Sequence, residues 1–142
     1  CMNHFAETVS LLKRELVKEL RAHKTFEKKI EVLNAFKDQE MFRIDLRHLL
    51  RKTSYLEEFA EEFSDLAEVV VEAGYHVAWE RVIKQFPEPM VSARMRSDLA
   101  ILALGKFGGR ELGYASDMEL MFVYTDDKDS TGEQSQKNMQ FY

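Results

Sequence analysis

The sequence lacks several features that would assign it to a special class of protein. It has a single cysteine, Cys1, so an intrachain disulfide is excluded and nothing indicates an oxidising compartment. No apolar run approaches the ~20 residues that a membrane helix needs, and the amino terminus does not have the pattern of a signal peptide. Basic residues are not in excess, because 20 Lys and Arg against 25 Asp and Glu give a net charge of −5. We therefore expect a cytoplasmic protein without general affinity for nucleic acids or membranes.

The first half of the chain has the periodicity of amphipathic helices. Apolar residues recur at helical spacing from Phe5 to Leu20, and a second stripe begins at Phe26. The spacing leaves open whether residues 26–51 form one helix or two helices that break near Asp38. The stripes consist of Phe5, Val9, Leu12, Leu16 and Leu20, then of Phe26, Ile30, Leu33 and Phe36, with Phe42, Leu46 and Leu49 as their expected extension.

A third and longer helix is predicted over residues 54–86. Ser54 and Glu57 have the spacing of a capping box, and Pro87 and Pro89 end the helix. Its expected buried stripe is Leu56, Phe59, Phe63, Leu66, Val70, Gly74 and Val77. Its acidic run, which is Glu57, Glu58, Glu61, Glu62 and Asp65, is best explained as a solvated face near the positive end of the helix dipole. Residues 1–89 are thus expected to form a helical bundle region.

Residues 90–142 contain two runs that are typical of strands. Leu99–Leu104 is apolar, too short for a helix and followed by a glycine, which predicts a buried strand. Met118–Tyr124 is the second run, and it is expected to pair with the first. Because side chains alternate between the two faces of a strand, Met118 and Leu120 should face a core. Together the patterns predict an α+β fold that is mostly helical.

Two carboxylates, those of Asp117 and Glu119, face the same way at the start of this second strand. Such a pair is stable when it is solvated or when it binds a divalent cation, and Mg²⁺ binds one or two carboxylates together with substrate phosphate oxygens. Upstream, Gly108 and Gly109 allow backbone N–H groups to approach a phosphate without a Cβ in the way, ahead of an expected short helix. A strand, a glycine pair and two acids on the next strand are typical of nucleotidyl transfer.

The segment from Gly105 to Leu120, GKFGGRELGYASDMEL, resembles the GKLGGREL…SSDIDL stretch of the glutamine-synthetase adenylyltransferase family. That family belongs to the nucleotidyltransferase superfamily, whose pattern is hG[GS]…Dh[DE]h. The matching residues are Gly105, Lys106, Gly108, Gly109, Arg110, Glu111, Leu112, Ser116 and Asp117. The departures are Phe107 for the usual Leu, Ala115 for Ser and Glu119 for Asp, and the superfamily pattern allows Glu at the last of these positions.

This resemblance implies a fold and an activity. The helical region would be followed, in residues 90–142, by the first strands of a nucleotidyltransferase (polymerase-beta-like) core. The implied reaction moves AMP from ATP to a tyrosine of glutamine synthetase, or reverses that transfer, in control of nitrogen assimilation, with a PII-type signal protein as a further partner. Asp117 and Glu119 would bind Mg²⁺, whereas Gly108, Gly109 and Ser116 would bind the triphosphate.

The resemblance also implies that this sequence is incomplete as an enzyme. Members of the superfamily use a third carboxylate from a later strand, which in this family lies in a V-D-x-R-L-R-P-like segment. No such segment occurs in the 142 residues. We therefore expect the chain to be a piece of a longer protein and to be inactive alone.

Several alternatives stay open at this point. Lys106 and Arg110 are candidates for phosphate contacts, and equally for structural ion pairs, with Glu111 as a partner for Arg110. A non-catalytic helical regulatory or scaffold module would retain the glycine pair for its fold only. A nucleotidyltransferase with a different acceptor would keep the same chemistry.

Overall fold

The computed structural model describes residues 2–50, 56–86, 90–92, 95–96 and 98–125. Within these ranges the chain forms three long helices, α1 (Met2–Arg21), α2 (Phe26–Leu49) and α3 (Leu56–Val82). They are followed by the short strands β1 (Met90–Ser92), β2 (Met95–Arg96) and β3 (Leu99–Leu104), the short helix α4 (Gly105–Gly108) and the strand β4 (Glu119–Tyr124). The expected α+β fold, mostly helical, is confirmed. None of the helices in the described ranges has the length and apolarity to cross a membrane.

Helix α1 packs its predicted apolar stripe into the helical core. Leu12, Leu16 and Leu20 are all buried, whereas the side chain of Phe5 lies outside the part of the chain whose side chains are described. After α1, Thr25 caps the amino end of α2. Its side chain accepts a hydrogen bond from the backbone N–H of Lys28 at 3.3 Å. This cap satisfies one of the free N–H groups of the first turn of α2.

Helix α2 is continuous, so the question of a break near Asp38 is answered. Its buried residues are Leu33, Phe36, Glu40 and Ile44. The predicted extension of the stripe through Phe42, Leu46 and Leu49 was wrong, because these side chains are 67%, 43% and 72% exposed. Steps of four residues from Phe36 keep positions 40 and 44 on the buried face, and the Glu40 carboxylate accepts a hydrogen bond from Arg43 Nε at 2.6 Å.

Helix α3 buries most of the stripe that the sequence predicts. Phe59, Phe63, Leu66 and Val77 lie in the core, whereas Leu56 is 72% exposed, so its predicted burial was wrong. The α-helix ends at Val82, and the chain then continues in turns to Phe86. The predicted cap at Ser54 and the prolines at 87 and 89 lie outside the described residues.

The predicted pairing of the two later strands is confirmed. β3 and β4 form an antiparallel ladder in which Leu99 lies opposite Tyr124 and Leu104 lies opposite Glu119. Their predicted burial was wrong in part, because Leu102 and Met118 are each 46% exposed. Among the described residues this sheet has only two strands, and α3 faces one side of it across an apolar groove of about 360 Å³. The outer side therefore stays exposed.

A second, smaller ladder joins β1 and β2, with Met90 opposite Arg96. The division of the chain into residues 1–89 and 90–142 stays a prediction. The hydrophobic core nevertheless includes residues from both parts, because Phe107 and Leu112 belong to the same buried cluster as the side chains of the three long helices.

Candidate active site

The connection between β3 and β4 contains the residues that the sequence indicated for chemistry. It is closed at its base by the pairing of Leu104 with Glu119, so its two ends meet at one edge of the hairpin. Within it lie Lys106, Gly108, Gly109, Arg110, Ser116 and Asp117, with Glu119 at its end. The structure thus brings all seven candidates to the same end of one hairpin.

The first half of this connection is a short helix that ends in a Schellman turn. The N–H of Glu111 donates to the carbonyl of Lys106 at 2.7 Å, and the N–H of Arg110 donates to that of Phe107 at 3.1 Å. The N–H of Gly109 donates to the carbonyl of Gly105 at 3.0 Å. The sequence predicted a short helix after the glycine pair, and that order was wrong. The helix ends at Gly108, and the N–H of Gly109 caps it.

Gly108 packs directly against strand β3. A Cβ at this position would lie 2.5 Å from the carbonyl oxygen of Ala103, a distance that real Cβ atoms do not reach. At Gly109 the nearest atom would be the carbonyl oxygen of Gly105 at 3.5 Å, which is an ordinary contact. Gly108 is therefore required by the packing of α4 on β3, independently of any ligand.

Glu119 lies over the start of α4. Gly105 has a φ of +53°, and a Cβ there would lie 2.6 Å from Glu119 Oε2. Glycine at 105 thus allows both a left-handed backbone and close approach of this carboxylate. Asp117 lies two residues earlier, before the strand begins, so its predicted place at the start of the strand was wrong, and both acidic side chains are exposed.

Ser116 closes a tight turn immediately before the acids. Its N–H donates to the carbonyl of Gly113 at 3.1 Å, and its hydroxyl accepts from the N–H of Gly113 at 3.0 Å. Ser116 is half-buried, whereas Lys106 is exposed on α4. The serine predicted to bind a triphosphate therefore also fixes the backbone that leads into Asp117.

Arg110 forms an ion pair, which is one of the two roles that the sequence left open, and its partners lie on α3. The sequence indicated Glu111 as its partner, whereas in the structure its Nη2 is bonded to Asp65 Oδ1 and its Nη1 lies 3.5 Å from Glu68 Oε2. The hydrogen bond to Asp65 raises the pKa of Arg110. Asp65 is only 5% exposed, so its assignment to a solvated acidic face was wrong.

Tyr114 is a second contact between the connection and the helices. Its ring lies 5.0 Å from that of Phe59 and 5.6 Å from that of Phe63, measured between centroids. The Asp45 carboxylate, which is hydrogen-bonded to the phenol, together with burial, raises the pKa of Tyr114 to about 12. No spacing in the sequence indicated Asp45 or Asp65, because acids on a helix are counted as solvent-facing unless a partner is known.

The acidic side chains at this edge of the hairpin are suitable ligands for a hard cation, but they are few. Asp117 and Glu119 offer carboxylate oxygens, which are the ligands that Mg²⁺ prefers. Within the described ranges no group of three or more His, Cys, Asp or Glu side chains converges as a metal site. The two acids would therefore hold a metal only together with oxygens from a substrate or from other residues.

Comparison with known proteins identifies the class to which this arrangement belongs. A sequence model of the glutamate-ammonia ligase adenylyltransferase family matches residues 3–142. Bifunctional glutamine synthetase adenylyltransferase/adenylyl-removing enzymes are similar to the chain. The one from Aromatoleum aromaticum is 33% identical over 117 residues, covering 74% of this chain and 12% of the relative. The one from Shewanella oneidensis is 31% identical over 144 residues, covering 97% of this chain and 15% of the relative.

These matches define the class as a family of adenylyltransferases. The chain belongs to the glutamate-ammonia ligase adenylyltransferase family. It spans about 12–15% of the length of the relatives that it matches.

Proposed function

We propose that the chain provides the first part of the active site of an adenylyltransferase that moves AMP from ATP to a tyrosine hydroxyl of glutamine synthetase. The observation that supports this proposal is the hairpin connection, in which a glycine-containing turn and two exposed acids meet at one edge in a chain of this family. The relatives are named as glutamine synthetase adenylyltransferase/adenylyl-removing enzymes. We propose the same target here, with the reverse reaction and a PII-type signal protein as further elements of its regulation.

In the proposed site, Asp117 and Glu119 are the residues that would hold Mg²⁺ when ATP is bound. Bound Mg²⁺ would supply the positive charge that neutralises charge developing around the α-phosphorus of the transferred adenylyl group. Lys106, exposed at the first turn of α4, is assigned to a phosphate contact. Gly108 and Ser116 shape the backbone beside it, and the carbonyl of Gly105 accepts the hydrogen bond of the Gly109 N–H, so Gly109 contributes to the turn.

The proposed reaction is an in-line substitution at the α-phosphorus. The tyrosine oxygen forms a bond to that phosphorus, the bond from phosphorus to the bridging oxygen of pyrophosphate breaks, and the phenolic proton passes to solvent. No residue of the described chain is assigned as the base. The role of the chain is to position the nucleotide and to hold the metal ligands in a fixed orientation.

A second candidate function is favoured by one observation. Because Gly108 is required by its contact with Ala103, the glycine pair can be explained without a nucleotide, as in a scaffold module. The two functions differ in metal-dependent nucleotide binding. If the chain is part of an enzyme, removing Mg²⁺ with a chelator should weaken its nucleotide binding. If it is a scaffold module, removing Mg²⁺ should leave its nucleotide binding unchanged.

The test uses a full-length chimera in which this chain replaces the matching segment of the Shewanella oneidensis relative. The unmodified chimera should transfer labelled AMP to glutamine synthetase, Asp117→Asn should abolish transfer, and Glu119→Asp should retain it because it restores the usual family residue. Glu111→Gln is the matched control, since it removes a charge from the same connection. A folded chimera that transfers no AMP would contradict the proposed function, and unchanged activity of Asp117→Asn would refute the metal assignment.

A further inference from the structure

Arg110 occupies a backbone position at which glycine is normally favoured. Its φ is 59°, and it is the left-handed residue of the Schellman turn that ends α4. A non-glycine residue in this region is disfavoured, because its Cβ comes too close to the following carbonyl oxygen. The backbone alone would therefore be better served by glycine, so the reason for arginine has to lie in its side chain.

The side chain of Arg110 attaches the connection between β3 and β4 to α3. The guanidinium pairs with Asp65, whose side chain is only 7% exposed, and its other terminal nitrogen lies near Glu68. A carboxylate this deeply buried needs a charged partner, because an unpaired charge away from water is strongly destabilising. Asp65 and Arg110 therefore depend on each other, and they join two segments that are 45 residues apart in the chain.

The pair lies between two other anchors of the same turn. Phe107 before it and Leu112 after it are both buried in the core that the long helices form. The turn from α4 to Glu111 is thereby held at fixed points, whereas the side chains of Asp117 and Glu119 at the end of the connection remain exposed, with Glu119 over the start of α4. The orientation of the acids thus depends on how the turn is seated on α3.

We propose that Asp65 is a positioning residue for the candidate active site, acting through Arg110 to orient the connection that holds Asp117 and Glu119. The inference rests on the proposed function, because it assigns a role in adenylyl transfer to a helix outside the strand segment. Arg110 then acts as the tether and is not a phosphate ligand. The helical region becomes part of the catalytic apparatus through one ion pair between a buried carboxylate and a half-exposed guanidinium.

The experiment uses the same full-length chimera with three variants: Asp65→Asn, Arg110→Gly and the double variant. Arg110→Gly preserves the left-handed turn while removing the tether. Since displacing reacting groups by ~1 Å can cost about 100-fold in rate, we expect each single variant to lower kcat about 100-fold with the KM for ATP changed less than about threefold. The double variant should be no slower than either single variant, because the two residues act as a unit.

Stability separates a positioning role from a merely structural one. Arg110→Gly leaves a buried charge unpaired and should lower the thermal midpoint, whereas the double variant removes both partners and should recover it. Activity should not recover with it. Glu80→Gln is the matched control, because Glu80 lies on the same helix and pairs with Lys29 of α2, in a groove that includes no residue of the connection, and it should leave kcat unchanged.

The outcomes distinguish this inference from the proposed function. If the unmodified chimera is active and Asp117→Asn is inactive, the proposed function stands. If the folded Asp65→Asn and Arg110→Gly variants then keep kcat within about twofold of the unmodified chimera, a change below 0.5 kcal/mol, the positioning role is refuted. Recovery of both stability and kcat in the double variant would also refute it, since the pair would then be structural only.

Discussion

Tyr114 shows at the scale of a single residue how the connection depends on the helices. It follows the glycine at 113 and packs its ring beside Phe59 and Phe63 of α3. Its phenol contacts Asp45 of α2, and the hydrogen bond to that carboxylate raises the pKa of Tyr114 to about 12 from an ordinary value of 10. One side chain thereby contacts two helices and lies two residues before Ser116.

We expect this contact to be visible in a pH titration. The folded-state pKa of Tyr114 lies above its unfolded value, so the interaction stabilises the fold fully below pH 10 and is lost as the pH rises through about 12. In a spectrophotometric titration of tyrosinate, the signal that disappears in Tyr114→Phe should be centred near pH 12. Asp45→Asn should move that signal toward the ordinary value, because the neighbouring negative charge is gone.

The control for this titration is the rest of the tyrosines in the same chain. Their absorbance change should be the same in Tyr114→Phe and in the unmodified chain. A signal from Tyr114 that stays at the same pH in Asp45→Asn would contradict the assignment to the carboxylate.

At the scale of elements, the contact between α4 and β3 determines where the connection leaves the sheet. Gly108 lies against the carbonyl of Ala103, one residue before the end of β3. Because that neighbour is backbone and belongs to a paired strand, it cannot move aside as a flexible side chain would. The direction of α4 relative to the hairpin is therefore set by a single glycine.

Gly108→Ala should destabilise the 142-residue chain, whereas Gly109→Ala should not. Forcing a methyl group into a packed site typically costs about 1–3 kcal/mol. Gly109 has a φ of −79°, which alanine adopts easily, so the matched control should change the free energy of unfolding little or raise it by about 0.4–1 kcal/mol. Urea unfolding followed by circular dichroism measures both variants, and equal stability of the two would contradict the packing argument.

The elements themselves were largely predictable from the sequence. The stripe of Leu12, Leu16 and Leu20 and the run Leu99–Leu104 are local patterns, and local patterns determine helices and strands wherever one face is buried. Long-range partners were not predictable in the same way. Leu56 has the right period but is 72% exposed, and Met118 lines a cavity against α2 and α3 yet is still 46% exposed.

The candidate site likewise has one part that could be predicted from the sequence and one part that could not. The positions of Asp117 and Glu119 at one end of a hairpin follow from the strand runs and the short connection between them. The left-handed turn at Arg110 and its bond to Asp65 do not, because the sequence offered only a phosphate contact or an ion pair with the neighbouring Glu111. Only the three-dimensional packing shows that a residue 45 positions earlier is its partner.

For the molecule as a whole, the helical region and the connection form one packed unit. Phe107 and Leu112 share a core with the helices, Asp65 of α3 pairs with Arg110, and Asp45 of α2 contacts Tyr114. These contacts hold one side of the connection and leave its acids exposed. The 142 residues thus offer a fixed pair of carboxylates, and the question at this scale is whether that pair is sufficient for catalysis.

We expect that it is not, and that the 142-residue chain alone will transfer no detectable AMP to glutamine synthetase. Mg²⁺ gives up its water reluctantly when few protein oxygens replace it, and the described part of the chain provides no third acidic side chain beside Asp117 and Glu119. Calorimetric titration of the chain with Mg²⁺ and ATP should give weak binding, whereas the full-length chimera, assayed with the same labelled ATP, should be active. AMP transfer by the 142 residues at the rate of the chimera would show that two carboxylates suffice and would overturn the ligand argument.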